Sequence, residues 1–355
     1  MMAEQGIYNG KLLDIKRQTG DKAVDEFIKF VFADNERKQQ LQQWLAGKSS
    51  IANLDELFPG FDFIKQSKEL PLWAKPELIR EGNAFFARHS ENIMSLLGLL
   101  SLPYCYTAAD GAMVLYLSEK IKKNTTKRLY DTAVFVWEVM GPEAFSKGGN
   151  GFKEVLKVRI IHAAVRYYTL QSGKWNGKWG TPINQEDMAG TNLSFSLIVV
   201  RGLRKLGITI SNQEQIAFLH LWKVVGYFTG LDDDLLPENG KMATQLDIAI
   251  KNRQFCTSAH GQELTNSLIE HILTLNKRKV SKNDILGLMR NLLGTDIADM
   301  LNIRAPELSK YKLLLLRTAN FVKSFKSSGD NVHLYHQAYA AFKKRSLFTE
   351  NIISD

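Results

Sequence analysis

His162 sits in Val158-Arg159-Ile160-Ile161-His162-Ala163-Ala164-Val165-Arg166, a run whose period is that of a helix with a histidine among apolar residues. Arg159 and Arg166 fall at i−3 and i+4, so the three side chains share one stripe. Upstream, Arg128 and Thr132 are again four apart and share a helix face that continues in Phe135 and Val136-Trp137. A neutral imidazole can bind iron through one nitrogen, and arginines nearby can hold the carboxylates of a porphyrin. A hydroxyl and a guanidinium entering an apolar pocket can orient bound dioxygen. The plainer readings are a hydrogen-bonded core histidine, an Arg128 paired with Asp131 or Glu138, and a Thr132 bonded to its own backbone.

No second histidine stands at zinc spacing from His162; His260, His271, His333 and His336 lie far along the chain. A single-histidine site favours haem, because the porphyrin supplies the other four ligands. Asn184-Gln185-Glu186-Asp187 reads as a capped helix start in which Glu186 or Asp187 can also face a site. Leu231-Asp232-Asp233-Asp234 lacks calcium-loop spacing and reads as a solvated loop. No phosphate loop, dinucleotide glycine fingerprint or nucleophile elbow occurs.

Helices must position these residues, since strand signals are scarce. They are expected at 77–102, 105–122, 126–140, 151–171, 185–206, 212–229, 241–257, 260–276, 281–294 and 307–325, with shorter ones in the first 75 residues. The expected organisation is an N-terminal helical extension (1–75), a helical domain (76–310) and a C-terminal helical tail (311–355) on the same body. Gly148-Gly149-Asn150-Gly151 supplies a turn before the His162 helix, and the Trp- and Gly-rich 175–182 segment is a loop. From Ile93 to Leu117 only Asp110 is charged, but Pro103 divides the run, so two packed helices joined there are expected rather than a membrane span.

The 355 residues are 45% hydrophobic and 23% charged, as in a globular chain with a sizeable core. A net charge of +9 permits nucleic-acid binding, but the basic residues are dispersed and no aromatic-basic stripe accompanies them. A basic nucleic-acid-binding module therefore ranks behind a helical haem protein. Two unpaired cysteines, Cys105 and Cys256, and a start at Met1-Met2-Ala3 without an apolar core lead us to expect a cytoplasmic protein.

Arg128-x3-Thr132, Arg159-x2-His162-Ala163-x2-Arg166 and Pro182-Ile183-Asn184-Gln185-Glu186-Asp187 together resemble one oxygenase family. It is that of the rubber-cleaving latex-clearing proteins and the ER-bound oxygenase of mycophenolic acid biosynthesis. Trp222-x3-Gly226-x3-Gly230 and Arg290-x3-Gly294 with Ala298-Asp299-x-Leu301 agree, so the resemblance covers roughly residues 80–305. It implies an all-α fold with a globin-like core around haem b, with His162 as proximal iron ligand and Arg128 and Thr132 on the distal side. Dioxygen and a small apolar, isoprenoid-like molecule are the implied partners. Arg159, Arg166 and Arg201 are the candidates for the propionates, from charge and spacing. The latex-clearing distal glutamate falls near Ala112, with Asp110 or Glu119 as possible substitutes, and Asp131 replaces a lysine beside the threonine. Those departures weigh against rubber itself as substrate.

Overall fold

The computed structural model describes residues 6–47, 50–275, 280–306, 308–309, 311–312, 314 and 330–353, with backbone alone for 119–125 and 345–353. The described residues are helical throughout, and their one β contact is an isolated antiparallel bridge between Ala108 and Phe255. Short helices come first: α1 (Gly10–Arg17), α2 (Lys22–Phe32), α3 (Asn35–Ala46), α4 (Ile51–Leu57) and α5 (Asp62–Gln66). The body follows with α6 (Pro76–Leu96), α7 (Leu102–Tyr106), α8 (Ala109–Leu117), α9 (Glu119–Val139), α10 (Asn150–Gln171), α11 (Gln185–Phe195), α12 (Leu197–Lys205) and α13 (Asn212–Phe228). Next are α14 (Gly240–Gln254), α15 (Ala259–Thr274), α16 (Lys282–Leu293), α17 (Thr295–Met300) and, last, α18 (Asn331–Ile353). The helix expected at 307–325 falls almost wholly outside the described residues.

The main core is built on α6 packed against α13, with Phe85, Phe86, Phe218 and Leu221 fully enclosed. Gly82 makes that crossing close: a Cβ there would stand 2.8 Å from the Ala217 carbonyl. α18 lies along α6 from the other side, and its Tyr335 donates to the Trp137 carbonyl at 2.6 Å. A second core joins the N-terminal helices to α10, where Leu156, Ile160 and Ala163 meet Phe27, Ile28 and Trp44. Successive helical residues are about 100° apart, so His162 points away from that N-terminal core.

Boundaries differ from the sequence expectation in three places, and the first is the gap expected between 122 and 126, which falls instead at Ser118 between α8 and α9. The break in the apolar run comes at Thr107–Ala108, and Pro103 is accommodated inside α7. Proline has no N–H for the carbonyl four residues back. A wide π turn over Leu97–Ser101 precedes it, with the Leu102 N–H reaching the Leu97 carbonyl. The 185–206 segment is two helices, because Ser196 leaves helical geometry and turns its hydroxyl onto the Asn192 carbonyl at 2.8 Å. Among the described residues no helix is long and apolar enough to cross a membrane.

Candidate functional site

α10 carries His162 with neither ring nitrogen hydrogen-bonded to a described residue, and its Nδ1 is buried. Burial, reinforced by Arg166 and Arg128 and opposed by Asp21, pushes the imidazole down to about 4. The ring is therefore neutral at pH 7, as an iron ligand must be. Val158 and Val165, one turn to either side, are only half-buried.

α9 packs against α10 and brings Arg128. Among the described residues no carboxylate pairs with it. Asp131 takes Lys127 instead, at 3.2 Å, and Glu138 accepts from Asn150 and Tyr339. Burial lowers the Arg128 pKa, opposed by Tyr106 and Cys105, which places its charge beside α7. The Thr132 hydroxyl donates to the Arg128 carbonyl at 2.9 Å, the local backbone bond that threonine readily makes in a helix. His162 and Arg128 are thus brought within electrostatic reach of one another, and neither side chain has a hydrogen-bond or ion-pair partner among the described residues. A buried imidazole nitrogen and a guanidinium, neither with a side-chain partner among the described residues, are available to hold a cofactor and a polar ligand.

Three arginines expected to meet propionates are engaged by the protein's own groups. Arg159 forms a two-point pair with Asp21, at 2.6 and 3.1 Å. Arg166 is paired with Asp25 and donates to the Pro182 and Ile183 carbonyls at 3.0 and 2.9 Å. Arg201 of α12 meets Asp247 of α14 at 2.6 Å, and the Tyr104 hydroxyl donates to the same carboxylate. Asp21 and Asp25, four apart at the start of α2, clamp two arginines seven apart on α10. Gly230, at φ +90, admits the first pair, since a Cβ would stand 2.3 Å from Asp21 Oδ2.

The Asn184–Asp187 segment is a hub. Asn184 caps α11 through the Asp187 N–H at 2.9 Å. Gln185 donates to the Gly20 and Gly230 carbonyls and accepts from the Asp232 N–H, fixing both turns. Glu186 is fully buried between Arg253 at 2.7 Å and Gln254 at 2.9 Å. Asp187 accepts from Arg17 Nη1 and from Asn184 Nδ2, each at 2.7 Å. Arg17 also approaches Glu186 (3.6 Å) and Asp110 of α8 (3.8 Å). Asp110 is therefore tied to Arg17, Ala112 is buried among apolar residues, and the Glu119 side chain lies outside the described residues. Arg17, Asp21 and Asp25 escape the sequence reading, since nothing local announces that α1 and α2 dock on α10 and α11. A cavity of about 210 Å³ opens beside this hub, lined by Thr19, Asp21, Arg159, Gln185 and Gly230, and does not include His162.

The expectation of an oxygenase-family fold is met by three comparisons. The family described as ER-bound oxygenase mpaB/B'/Rubber oxygenase, catalytic domain, matches residues 88–323. The Rubber oxygenase of Streptomyces sp. (strain K30) is 24% identical over 272 residues, 74% of this chain and 65% of the relative. The chain thus spans about two thirds of the length of that curated relative. A structure of Latex Clearing Protein LCP in the closed state superposes with a TM-score of 0.73 at 20% identity, covering 88% of this chain and 85% of the other. That coverage carries the shared all-α, globin-like fold into the N-terminal helices. With the family match taking in more than half of its length, the chain belongs to the ER-bound oxygenase mpaB/B'/Rubber oxygenase family and contains that family's catalytic domain.

Proposed function

We propose that the chain is a haem-b-dependent oxygenase using dioxygen on a small apolar substrate, with isoprenoids the first class to try. The observation that carries this reading is His162, neutral, buried at Nδ1 and free of any hydrogen bond to a described residue, within the field of an unpaired Arg128. His162 would hold the iron; the haem, when bound, supplies dioxygen activation. Arg128 orients an anionic or polar group with a charge that no carboxylate among the described residues has claimed. Thr132 keeps Arg128's turn regular through its bond to the backbone carbonyl and adds a short polar side chain. Arg159 and Arg166 hold α10 in place through α2, and can serve propionates only by sharing their guanidinium groups with Asp21 and Asp25. Arg201, paired with Asp247, faces the same requirement.

The test is the ultraviolet–visible spectrum of the purified chain, as isolated and after dithionite, with a pyridine haemochrome assay. Near-equimolar haem b that is lost in His162→Ala supports the reading; a colourless chain that also refuses added hemin removes it. A haem sensor or carrier without turnover is the second reading, favoured by Ala112, whose buried methyl group cannot move a proton. Dioxygen consumption in the presence of isoprenoids separates the two. The cytoplasmic setting and the absence of a nucleic-acid partner belong to the same proposal, resting on cysteine use and dispersed charge.

A further inference from the structure

The helix that carries His162 runs out into a basic, aromatic tip. Residues 155–185 hold five basic side chains and no acidic one. Lys157, Arg159 and Arg166 are paired with Glu154, Asp21 and Asp25. Lys174 and Lys178 are both exposed and have no carboxylate partner among the described residues. Each is followed directly by a tryptophan, Trp175 and Trp179. The last turns of α10 add Tyr168 and Leu170, 48% and 54% exposed. Lys38 of α3 stands over the Tyr168 ring, 5.6 Å from its centroid, which brings a third cation to this end of the helix.

Local bonds fix the shape of that tip. The Trp175 indole N–H donates to the Gly180 carbonyl at 2.7 Å, and the two indoles meet edge to face with centroids 5.1 Å apart. Asn176 accepts from the Lys178 N–H at 3.0 Å and caps the single turn Gly177–Trp179. Gly180, at φ +83, seats the loop on α1: a Cβ there would stand 2.6 Å from the Arg17 carbonyl oxygen, which takes the Thr181 N–H at 3.0 Å. Both indoles are half-buried, and the Trp179 N–H has no hydrogen-bond partner among the described residues. Two indoles are thereby held in place between two unpaired ammonium groups.

Tryptophan and tyrosine, each with an apolar ring and a polar N–H or O–H, suit the boundary between lipid headgroups and acyl chains. Lysines beside them reach anionic headgroups while their stems stay on apolar surface. A nucleic acid is the other common polyanion, but it is followed by a track of cations and stacking rings, and two lysine–tryptophan pairs make only a point of contact. We infer that the end of α10 and the 174–179 loop form an adsorption surface for an anionic lipid bilayer. The contact is peripheral, because no described helix is long and apolar enough to cross a membrane. Few charges and few apolar side chains take part, so binding is reversible and weakened by salt. Delivery of a lipid-soluble substrate by this route rests on the oxygenase reading; adsorption to the bilayer does not.

The experiment is co-sedimentation of the full chain with two kinds of vesicle, phosphatidylcholine alone and about three parts phosphatidylcholine to one of phosphatidylserine. Binding is expected to the mixed vesicles only, to weaken as salt is added, and to fall roughly ten- to thirtyfold when Lys174→Gln and Lys178→Gln are combined. Leu170→Gln, a change at an exposed position, should weaken it as well. With acyl chains brominated, wild-type tryptophan emission should be quenched on binding, and Trp179→Phe should lower the quenched fraction while leaving the Trp175 bond to Gly180 in place. No binding to the mixed vesicles, equal binding to neutral ones, or affinity unchanged in the lysine variant overturns the assignment. Quenching undiminished in Trp179→Phe puts the contact on another face and overturns it too. A lysine-dependent shift of DNA without vesicle binding gives the surface to nucleic acid instead. A chain that binds no haem sinks the oxygenase reading and leaves the vesicle result to decide this one.

Discussion

Arg17 Nη1 stands 2.7 Å from Asp187 Oδ1, across 170 residues of sequence. Through that contact the first helix of the chain sets the electrostatics of a site whose other members come from the body. Arg17 is itself buried, so its charge is balanced only by the carboxylates it was brought to meet.

Arg17→Met is therefore expected to cost about 3–5 kcal/mol, since it leaves Asp187 buried without a counter-charge. Denaturant melts of the full chain measure it. A loss under about 1 kcal/mol would mean that α1 only rests on the body, as an exposed ion pair does.

His162→Ala is expected to remove haem and to leave the fold standing. The imidazole forms no hydrogen bond to a described residue, so truncation frees no buried partner. Circular dichroism and melting temperature should stay near those of the wild-type chain prepared without haem, while the haemochrome assay reads zero. Full haem retention would place the iron ligand elsewhere.

Acid stability should depend on His89. Burial, aided by Arg88 and opposed by Glu214, lowers this imidazole to about 4, while its ordinary value is 6.5. The unfolded chain takes up the proton first, so stability is full above about pH 6.5 and falls as pH drops toward about 4, below which this contribution levels off. The loss is at most about 3 kcal/mol. His89→Gln should reduce the slope of the stability curve between those limits, His162 supplying a similar slope of its own; an unchanged slope would assign the acid lability to other groups.

The sequence carried the catalytic-domain helices well because their apolar period is long and their caps are strong. Ser211 with Glu214 forms a full capping box, and Asn184 caps α11. His162, Arg128 and Thr132 stood out in the sequence through their spacing taken together with the family resemblance. Two things were not. Pro103 reads as a break from its chemistry, yet the wide turn ahead of it absorbs the missing donor, which only the backbone path reveals. Nor does Asp21-x3-Asp25 announce Arg159 and Arg166 as its partners, because a pairing between α2 and α10 is a tertiary fact. Of the four arginines weighed for the site, the one without a carboxylate partner among the described residues is for that reason Arg128, not one of those offered for the propionates.

The close crossing of α6 and α13 gives a test of the scaffold. Gly82→Ala drives a methyl group to 2.8 Å from the Ala217 carbonyl and 3.0 Å from Leu221 Cβ. Backbone cannot yield as a flexible side chain can, so the helices must part, at about 1–3 kcal/mol. A stability gain, the usual result of replacing an exposed helical glycine by alanine, would show that the crossing is looser than this.

Arg128 and Arg166 make a matched pair for the last test, one cation without a carboxylate and one with Asp25 and two carbonyls around it. Arg166→Leu strands a carboxylate and two acceptors and should cost about 3–5 kcal/mol. Arg128→Leu removes a partly buried cation that no carboxylate among the described residues neutralises, so stability should hold or rise. Its loss should appear in function instead. If Arg128 spends its donors on a bound anion, azide affinity of the haem-loaded chain should fall roughly ten- to hundredfold, the worth of one charge-assisted hydrogen bond. Equal destabilisation of the two variants would mean that Arg128 is a structural cation after all, and equal azide affinity would remove it from the distal side.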